Sequence, residues 1–331
     1  MGIKNLNRFL RENCKKRSIY KSLFKELRGK TIVIDTSIYL YKFLSDGSLM
    51  ENMYLFVSSL IANGIDPIFI FDGKPPPEKR DLLMERRLGK KEAENKYLAL
   101  QNRIQDQSGN LLTEEDKNDL LNEMDNLKKQ FIRIRDEDIR KVKSLLDAYG
   151  VMYYDARGEA DELCAYFVNS GRAWGCLSDD MDMFLYGCNF ILRHLSLLKQ
   201  SVIVYDREAI LKDLELSDRH FREIMVLSGT DYNKNSNTSL SDSINWFYRY
   251  NNYKTMCESG ATKPLEFYVW LVKNTKYVDN YLKLLKTYQM FQLNHNEEFE
   301  TIIANKPQTS KLNINRVQDI MREEGFVFAS P

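Results

Sequence analysis

The chain has 331 residues, of which 43% are hydrophobic, and this is enough for one large domain or two smaller domains with substantial cores. Its net charge is only +1, so any attraction to nucleic acid must come from local clusters of basic residues. Five cysteines without a C-x-x-C pair and three scattered histidines argue against a disulfide framework and against a histidine-based zinc site.

The first strong elements of the sequence are two buried strands, at 31–35 and 66–72. Each is rich in β-branched or aromatic residues and ends in an aspartate, Asp35 or Asp72. A helix at 51–63, which a glycine stops, is expected between them. Strands that alternate with helices in this way indicate a mostly parallel sheet.

Three charged helices are expected next, at 77–105, 113–131 and 136–149, with Thr113 as the N-cap of the second. Residues 74–103 hold nine basic and five acidic side chains, a net charge of +4. A charge-rich helix is often only a solvated face. The position of this segment between acidic segments nevertheless favours contact with a phosphate backbone.

The rest of the chain is predicted to complete the sheet and then to become helical from Ser217 onward. A helix is expected at 159–168, and four more strands are expected at 151–154, 173–177, 191–198 and 201–205. The pattern predicts an α/β fold, a mostly parallel, twisted sheet with helices on both faces. We expect an α/β core at 1–210, with a helical insertion at about 77–131, and a helical region at 211–331 packed on the core.

Seven carboxylates form a candidate set. Six of them lie at the ends of these strands or at the starts of the following helices, and the seventh lies in the helical part after Ser217: Asp35, Asp72, Glu159, Asp161, Asp180, Asp182 and Asp231. A single aspartate after a strand is usually a turn or cap residue. Several carboxylates at one edge of a parallel sheet would repel each other and lose hydration unless cations neutralised them. The pairs spaced by two residues, Glu159 with Asp161 and Asp180 with Asp182, converge only where the chain turns into a helix.

Carboxylate oxygens without histidine or cysteine partners suit a hard cation, so the sequence favours Mg²⁺ over zinc, with Mn²⁺ able to substitute. Seven carboxylates are more than one Mg²⁺ ion needs. We therefore predict two ions about 3.5–4 Å apart, the arrangement that supports phosphodiester hydrolysis.

Six short motifs around these residues occur in a fixed order over residues 1–232. They are MGIKNL at 1–6, IDTS at 34–37, FIFDGKPP at 69–76, GEAD at 158–161, SDDMD at 178–182 and LSGTDY at 227–232. Together they resemble, in order and spacing, the flap endonuclease and XPG family of structure-specific 5′ nucleases. The resemblance implies a PIN-like nuclease fold in which all seven carboxylates bind metal.

The resemblance also implies roles for residues outside the carboxylate set. Lys79 matches a catalytic lysine, and Arg86 matches its partnering arginine, a role that Arg87 could also fill; both would neutralise charge in the transition state. Tyr41 matches an aromatic residue that stacks on the nucleobase beside the scissile phosphate, although a core tyrosine on an apolar helix is the alternative. The expected DNA contacts are Gly2, Tyr41, Arg80, Arg87, Lys90 and Lys91.

The insertion at about 77–131 corresponds to the family's arch, under which a single-stranded 5′ end threads, and 211–331 corresponds to a DNA-binding region. Asp161 stands where many members carry glutamate, and Asp179 and Glu162 fall outside the motif positions. The chain lacks the family's glycine-rich hairpin at 233–244, so an altered grip on duplex DNA is expected. No sliding-clamp motif is found near the C-terminus, and this pared-down form resembles members encoded by large DNA viruses.

The sequence therefore predicts a Mg²⁺-dependent flap endonuclease, with some 5′→3′ exonuclease activity, that acts on flaps, nicks or branches in replication, repair or recombination. Three alternatives remain: an exonuclease or branch-resolving enzyme, a junction-binding scaffold without catalysis, and an RNA-directed nuclease. The intact carboxylate set argues against the scaffold. Without a membrane-span or signal-peptide pattern, we expect an intracellular protein, in the nucleus or in a cytoplasmic viral replication compartment. The oligomeric state is left open.

Overall fold

The structure is a computed structural model, and it describes residues 3–106, 114–233, 238–293, 296–305 and 311–328. The chain divides into two compact units. Unit 1 comprises Met1–Asp35, Ser58–Pro75 and Met152–Gln308, and unit 2 comprises Thr36–Val57, Pro76–Val151 and Thr309–Pro331. The division into domains at residue 210 stays a prediction.

Unit 1 is built on a seven-stranded sheet. Its strands are β1 (Ile19–Leu23), β2 (Thr31–Asp35), β3 (Asp66–Phe71), β4 (Met152–Asp155), β5 (Gly175–Leu177), β6 (Phe190–Ser196) and β7 (Ser201–Asp206). They lie in the order β1-β7-β6-β5-β2-β3-β4. Only β7 runs against the other six strands, because its pairings with β1 and β6 are antiparallel and the other pairings are parallel. The predicted mostly parallel α/β sheet is confirmed.

Fourteen α-helices are found in the described residues. They are α1 (Leu6–Asn13), α2 (Thr36–Ser45), α3 (Leu49–Ala62), α4 (Arg80–Asp106), α5 (Glu114–Gln130), α6 (Asp136–Tyr149), α7 (Ala160–Asn169), α8 (Arg207–Asp213), α9 (Asp218–Ser228), α10 (Leu240–Ser259), α11 (Phe267–Asn274), α12 (Tyr281–Met290), α13 (Asn296–Ala304) and α14 (Ile314–Glu323). The predicted helices lie within a few residues of α3, α4, α5, α6 and α7. Thr113, the expected N-cap of α5, lies outside the described residues. None of the described helices is both long and apolar enough to cross a bilayer.

Two elements near the N-terminus, α1 and β1, were not predicted. Leu6 and Leu10 on α1 are buried in the core, whereas Arg8 and Arg11 on the same helix are exposed. β1 pairs along its whole length with β7, from Ile19 opposite Tyr205 to Leu23 opposite Ser201. The many basic residues of this segment obscure its apolar pattern, so only the long-range pairing identifies the strand.

The core of unit 1 forms where α7 packs against β2, β3 and β5. Leu163, Cys164 and Ala165 on this helix are fully buried. α7 is therefore held firmly over the central strands, so the residues at its N-terminus have a defined position relative to the ends of those strands.

Unit 2 contains two helix pairs. α4 packs along α5, and α6 packs against α14. In the second pair the Lys141 ammonium lies 2.7 Å from a Glu324 carboxylate oxygen, and the Asn313 N–H donates to the Ala148 carbonyl oxygen at 2.8 Å. The helices of the predicted insertion at 77–131 are thus present as α4 and α5, preceded by a 3₁₀ turn at Pro77–Lys79.

Candidate metal centre

Three neighbouring parallel strands end at the same edge of the sheet, and each leads into part of the acidic set. Asp35 is the last residue of β2, Asp72 directly follows β3, and Ser178 directly follows β5. β2 pairs in parallel with both β3 and β5, with Ile34 opposite Leu177. Because these carboxyl ends are adjacent, the sheet brings together side chains that are distant in sequence.

A chain of hydrogen bonds through Ser178 links three of the predicted carboxylates. The Ser178 hydroxyl donates to Asp35 Oδ2 at 3.0 Å and accepts from the Asp180 N–H at 3.1 Å. Asp180 in turn caps a 3₁₀ helix at Met181–Phe184, where its Oδ1 accepts from the Asp182 N–H at 3.0 Å. Ser178 was not among the predicted site residues, although its position at the start of the SDDMD motif was a usable signal.

The N-terminus of α7 joins the same edge. Asp72 Oδ1 accepts from the Ala160 N–H, the first residue of α7, at 2.7 Å. Glu159 is the extended N-cap residue of this helix, and Asp161 lies in its first turn. Both carboxylate pairs spaced by two residues therefore occur where the chain enters a helix, as the sequence predicted.

Gly73 allows the close backbone approach behind Asp72. A Cβ atom at this position would lie only 2.1 Å from the Ala156 carbonyl oxygen. The Gly73 N–H also donates to the Gly158 carbonyl oxygen at 2.7 Å, and the Lys74 N–H donates to the Arg157 carbonyl oxygen at 3.0 Å. Any larger residue at position 73 would push Asp72 and Glu159 apart.

Tyr232 connects the segment that contains Asp231 to Glu159. The Tyr232 hydroxyl donates to Glu159 Oε2 at 2.6 Å, and it lies 3.4 Å from the Tyr186 hydroxyl. Burial, followed by the neighbouring Tyr186 and Glu159, raises the pKa of Tyr232, so the phenol stays protonated and able to donate. Asp231 itself is half-buried and directly precedes this anchor.

The electrostatics of the edge are those of crowded anions. Burial raises the pKa of Asp35 well above its usual range, and the charges of Asp72, Asp180 and Glu159 raise it further, while the Ser178 hydrogen bond opposes them. Four of the seven predicted carboxylates therefore share one electrostatic neighbourhood. Burial raises the pKa of the nearby Tyr186, and the charges of Asp161, Glu162 and Asp182 raise it further.

These residues fit a divalent cation by their chemistry. The donors are all carboxylate oxygens, four of them on buried side chains (Asp35, Asp161, Asp180 and Asp182), and a cation would relieve the repulsion that raises the pKa of Asp35. Within the described ranges, no three or more His, Cys, Asp or Glu side chains already have the geometry of a metal site. The arrangement is an acidic neighbourhood and not a closed ligand set.

Asp179, which lies between the motif positions, contacts β6. Arg193 Nη2 donates to the Asp179 carbonyl oxygen at 2.8 Å, and the His194 N–H donates to Asp179 Oδ1 at 2.9 Å. Arg193 is only 6% exposed, and its Nε and Nη1 atoms are buried without a hydrogen-bond partner among the described residues. The Arg193 side chain therefore fixes the peptide that carries Asp180, a role that the sequence did not suggest.

The predicted basic and aromatic residues other than Gly2 belong to unit 2. Lys79 ends the 3₁₀ turn and is 5% exposed, whereas Arg86 is exposed on α4. Tyr41 is 45% exposed, so it is not a core tyrosine. Of the remaining predicted DNA contacts, Gly2 lies outside the described residues, and Arg80, Arg87 and Lys91 are exposed on α4.

Lys90 covers Tyr41. Its ammonium lies 4.8 Å from the centre of the Tyr41 ring and donates to the Ile132 carbonyl oxygen at 2.9 Å. Burial lowers the pKa of Lys90, and the nearby Arg133 and Arg86 lower it further. A pocket of about 290 Å³ adjoins this pair, and its lining includes two further lysines, Lys42 and Lys129.

Known proteins share both the sequence and the fold of this chain. The XPG N-terminal domain matches residues 1–93, and the XPG I-region matches residues 150–231. Flap endonuclease 1 of Meyerozyma guilliermondii is 31% identical over 251 residues, which cover 70% of this chain and 63% of that protein. A probable RAD2-like endonuclease, 369L of Invertebrate iridescent virus 6, is 31% identical over 285 residues, which cover 71% of this chain and 68% of that protein.

The fold is similar to the catalytic core of Rad2, solved in complex with a DNA substrate. The TM-score is 0.64 at 22% sequence identity, and the match covers 98% of this chain and 95% of the Rad2 chain. The chain spans less than two thirds of the length of the yeast flap endonuclease. The two matched domains and the relatives at 31% identity show that this chain belongs to the XPG family, which includes the flap endonucleases.

Proposed function

We propose that this protein is a metal-dependent nuclease that hydrolyses the DNA backbone near a 5′ end or a branch. The observation that carries the proposal is the acidic neighbourhood at the carboxyl edge of the sheet, where three other carboxylates help to raise the pKa of the buried Asp35. Such crowding is costly for folding unless a cation offsets it. Membership of the XPG family, whose flap endonucleases are metal-dependent nucleases, supports the same function.

The residues that would hold the metal are the seven carboxylates. A bound divalent cation supplies a hydroxide nucleophile from water and stabilises charge on the leaving oxygen. We propose two Mg²⁺ ions, with Mn²⁺ able to substitute, because seven carboxylates exceed the needs of one ion. Ser178 and Tyr232 hold Asp35 and Glu159 in place, so the ligands need little rearrangement when the ions bind.

The basic residues of unit 2 would act on the DNA itself. Lys79 and Arg86 are proposed to neutralise the charge that develops on the scissile phosphate. Tyr41 is proposed to stack on the neighbouring base, and its 45% exposure supports this role. Arg80, Arg87, Lys90 and Lys91 would contact the backbone of a single strand that threads beneath α4 and α5.

The proposed substrates are DNAs with a 5′ flap, a nick or a branch, with some 5′→3′ exonuclease activity, in replication, repair or recombination. The relatives named flap endonuclease and RAD2-like endonuclease support this choice. The sequence at 233–244 lacks the glycine-rich hairpin of the family, and its residues 234–237 lie outside the described ranges. The grip on duplex DNA is therefore proposed to differ from that of flap endonucleases.

A panel of 5′-labelled DNAs tests the proposal directly. The panel contains a flap, a nick, a blunt duplex, a four-way junction and a single strand, each incubated in Mg²⁺ and in EDTA. We expect cleavage of the flap in Mg²⁺ and none in EDTA. Tight binding to the flap without cleavage in Mg²⁺ or Mn²⁺ would instead identify a junction-binding scaffold and overturn the proposal.

A further inference from the structure

The positive charge of the chain is concentrated in its first 30 residues. This segment holds ten lysines and arginines and only two acidic residues, a net charge of +8. Because the whole chain has a net charge of +1, the remaining 301 residues carry a net charge of −7. Nine of the ten basic side chains are exposed: Lys4, Arg8, Arg11, Lys15, Lys16, Arg17, Lys21, Lys25 and Arg28.

Five of these residues follow the outer edge of the sheet, and we call them the basic edge: Lys15, Lys16, Arg17, Lys21 and Lys25. β1 is an edge strand, because among the described strands β7 alone pairs with it. Lys15–Arg17 precede β1, Lys21 lies within it, and Lys25 follows it. The five residues of β1 extend over about 16 Å, so the positive charges are spread along the strand and are not clustered at one position.

The direction of β1 relates this row to the metal centre. β1 runs parallel to β2 and β5, so its carboxyl end, next to Lys25, lies at the same edge of the sheet as the acidic residues. β5 is the third strand from β1 and β2 is the fourth. At about 4.8 Å per strand, their ends lie about 14 and 19 Å from the end of β1. The basic edge therefore begins within one duplex width of the carboxylates and leads away from them.

Asp213, whose side chain is buried, holds the first part of the basic edge in shape. Asp213 has a side chain only 2% exposed, and its Oδ2 accepts from the Ser18 hydroxyl at 2.6 Å and from the Lys15 N–H at 2.8 Å. Its Oδ1 lies 3.6 Å from the Lys15 ammonium and 3.9 Å from the Arg17 guanidinium. One carboxylate thus orders a loop with three positive charges and leaves an excess of two.

Glu26 adjoins Lys25 at the other end of the row, but the hydrogen bonds of its own turn lower its pKa more than the charge of Lys25 does. Its carboxylate accepts from the Leu23 N–H at 2.9 Å and from the Ser22 hydroxyl at 3.1 Å, so it stabilises its own turn. Lysines on edge strands also discourage edge-to-edge aggregation, which explains Lys21. That explanation does not extend to Lys15–Arg17 or to Lys25, which lie outside the strand.

We propose that the basic edge binds the phosphate backbone of a duplex arm of the DNA substrate, beside the metal centre. The inference rests on the proposed nuclease function, because a substrate held at the acidic edge brings a polyanion to this side of the sheet. DNA presents one negative charge per about 1.7 Å of helix axis, which matches an extended row of lysines. Contacts of this kind position the duplex without reading its sequence.

The test compares two triple variants with equal charge changes. The edge variant carries Lys16→Glu, Lys21→Glu and Lys25→Glu. The control carries Arg140→Glu, Arg172→Glu and Lys199→Glu, at exposed positions outside the segments 77–131 and 211–331 that are expected to contact DNA. DNA affinity is measured by fluorescence anisotropy in EDTA, between about 50 and 200 mM salt, on branched DNAs with duplex arms of about two helical turns or about half a turn.

We expect the edge variant to bind the long-arm DNA at least about tenfold more weakly than the wild type. The slope of log affinity against log salt concentration should also become less negative, by up to the amount expected for the loss of about three phosphate contacts. On short-arm DNA its affinity should match that of the wild type, and in Mg²⁺ it should cleave short-arm DNA normally.

Amine acetylation of the wild-type protein gives a measurement that needs no variant. Long-arm DNA should protect Lys16, Lys21 and Lys25 from acetylation, and short-arm DNA should not.

Four results would overturn the inference: equal affinity of the edge variant and the wild type for long-arm DNA, an equal loss in the control variant, an equal loss on both arm lengths, or no protection of the lysines. Loss of binding to phosphatidylserine vesicles with DNA affinity unchanged would instead identify a membrane surface as the partner. If the edge variant does not fold, two measurements replace it as the test of the inference. One is the DNA affinity of the neutral variant with Lys16→Gln, Lys21→Gln and Lys25→Gln, and the other is the acetylation pattern of the wild type. Failure of the wild type to cleave any DNA would count against the nuclease function and is a separate result.

Discussion

Tyr232 donates a hydrogen bond from its hydroxyl to Glu159 Oε2 at 2.6 Å, and the two residues are 73 positions apart in sequence. The bond ties the segment after α9, where Asp231 lies, to the N-cap of α7. Glu159 is half-buried, and the hydrogen bond restricts the orientations that its carboxylate can adopt. Partners that orient metal ligands in this way commonly affect metal affinity almost as much as the ligands themselves.

Tyr232→Phe should weaken Mg²⁺ binding, because it removes the donor that orients Glu159. We expect the Mg²⁺ concentration at half-maximal cleavage to rise by about tenfold to a hundredfold, with DNA affinity in EDTA unchanged. Tyr268→Phe is the matched control, since the Tyr268 hydroxyl is also buried and donates to the Glu223 carbonyl oxygen at 2.7 Å. An equal rise in the control would mean that lost stability, and not ligand orientation, causes the effect.

Asp35→Asn should abolish cleavage and also stabilise the metal-free protein. Cleavage in Mg²⁺ should fall by roughly a thousandfold or more, because a bound metal supplies several kcal/mol of transition-state stabilisation. In EDTA at neutral pH the thermal midpoint should rise, because asparagine is neutral and avoids the cost of keeping the Asp35 carboxyl either ionised beside Asp72 and Asp180 or protonated, a cost that its raised pKa reflects. Asp66→Asn, at an exposed aspartate, is the control for both measurements. Full activity of Asp35→Asn would rule out the metal assignment.

Arg193→Ala should loosen the peptide that carries Asp180. We expect a Mg²⁺ requirement about tenfold higher in cleavage assays, with DNA affinity in EDTA unchanged. Arg222→Ala is the comparison, because the Arg222 Nε donates to the Leu185 carbonyl oxygen at 2.8 Å and its side chain is also largely buried. If both variants lose stability and neither changes the Mg²⁺ requirement, the role of Arg193 is structural only.

Lys79→Ala should slow the chemical step with little change in affinity for DNA. Single-turnover cleavage should be about 10²- to 10³-fold slower, the usual cost of removing one group that stabilises transition-state charge. Lys96→Ala, at an exposed lysine further along α4, should react at nearly the wild-type rate. A Lys79 variant with a normal single-turnover rate and a raised dissociation constant would assign this lysine to binding.

Glu223 makes stability depend on pH. It is buried, and burial raises its pKa in spite of the nearby Arg219, so ionisation of Glu223 is less favourable in the folded state than in the unfolded state. The stability that this shift contributes is complete below the unfolded pKa of about 4.3 and is lost as pH rises through the folded pKa. Glu223→Gln should therefore have a higher thermal midpoint than the wild type at pH 7, and the gap should close near pH 4. A gap that widens on acidification would contradict this assignment.

Much of the fold could be predicted because its signals are local. α6 begins and ends where the sequence indicates, since three acidic residues open it and Gly150 closes it in the left-handed conformation. β1 could not be found in this way. Its five residues have no regular alternation of apolar side chains, and the strand exists because it pairs with β7, about 180 positions further along the chain.

The sequence by itself determined which residues end the strands and open the helices, because strand pattern, helix capping and the order of the motifs are properties of neighbouring residues. It therefore predicted a site of seven carboxylates, which stays a prediction, and the family, which the comparisons confirm. Only the tertiary structure decided that Ser178 links Asp35 to Asp180, that Tyr232 anchors Glu159, and that five of the ten basic residues of the first 30 positions follow an edge of the sheet. The physical reason is that hydrogen bonds, burial and repulsion depend on distances in space, and these pairs become neighbours only when the sheet forms.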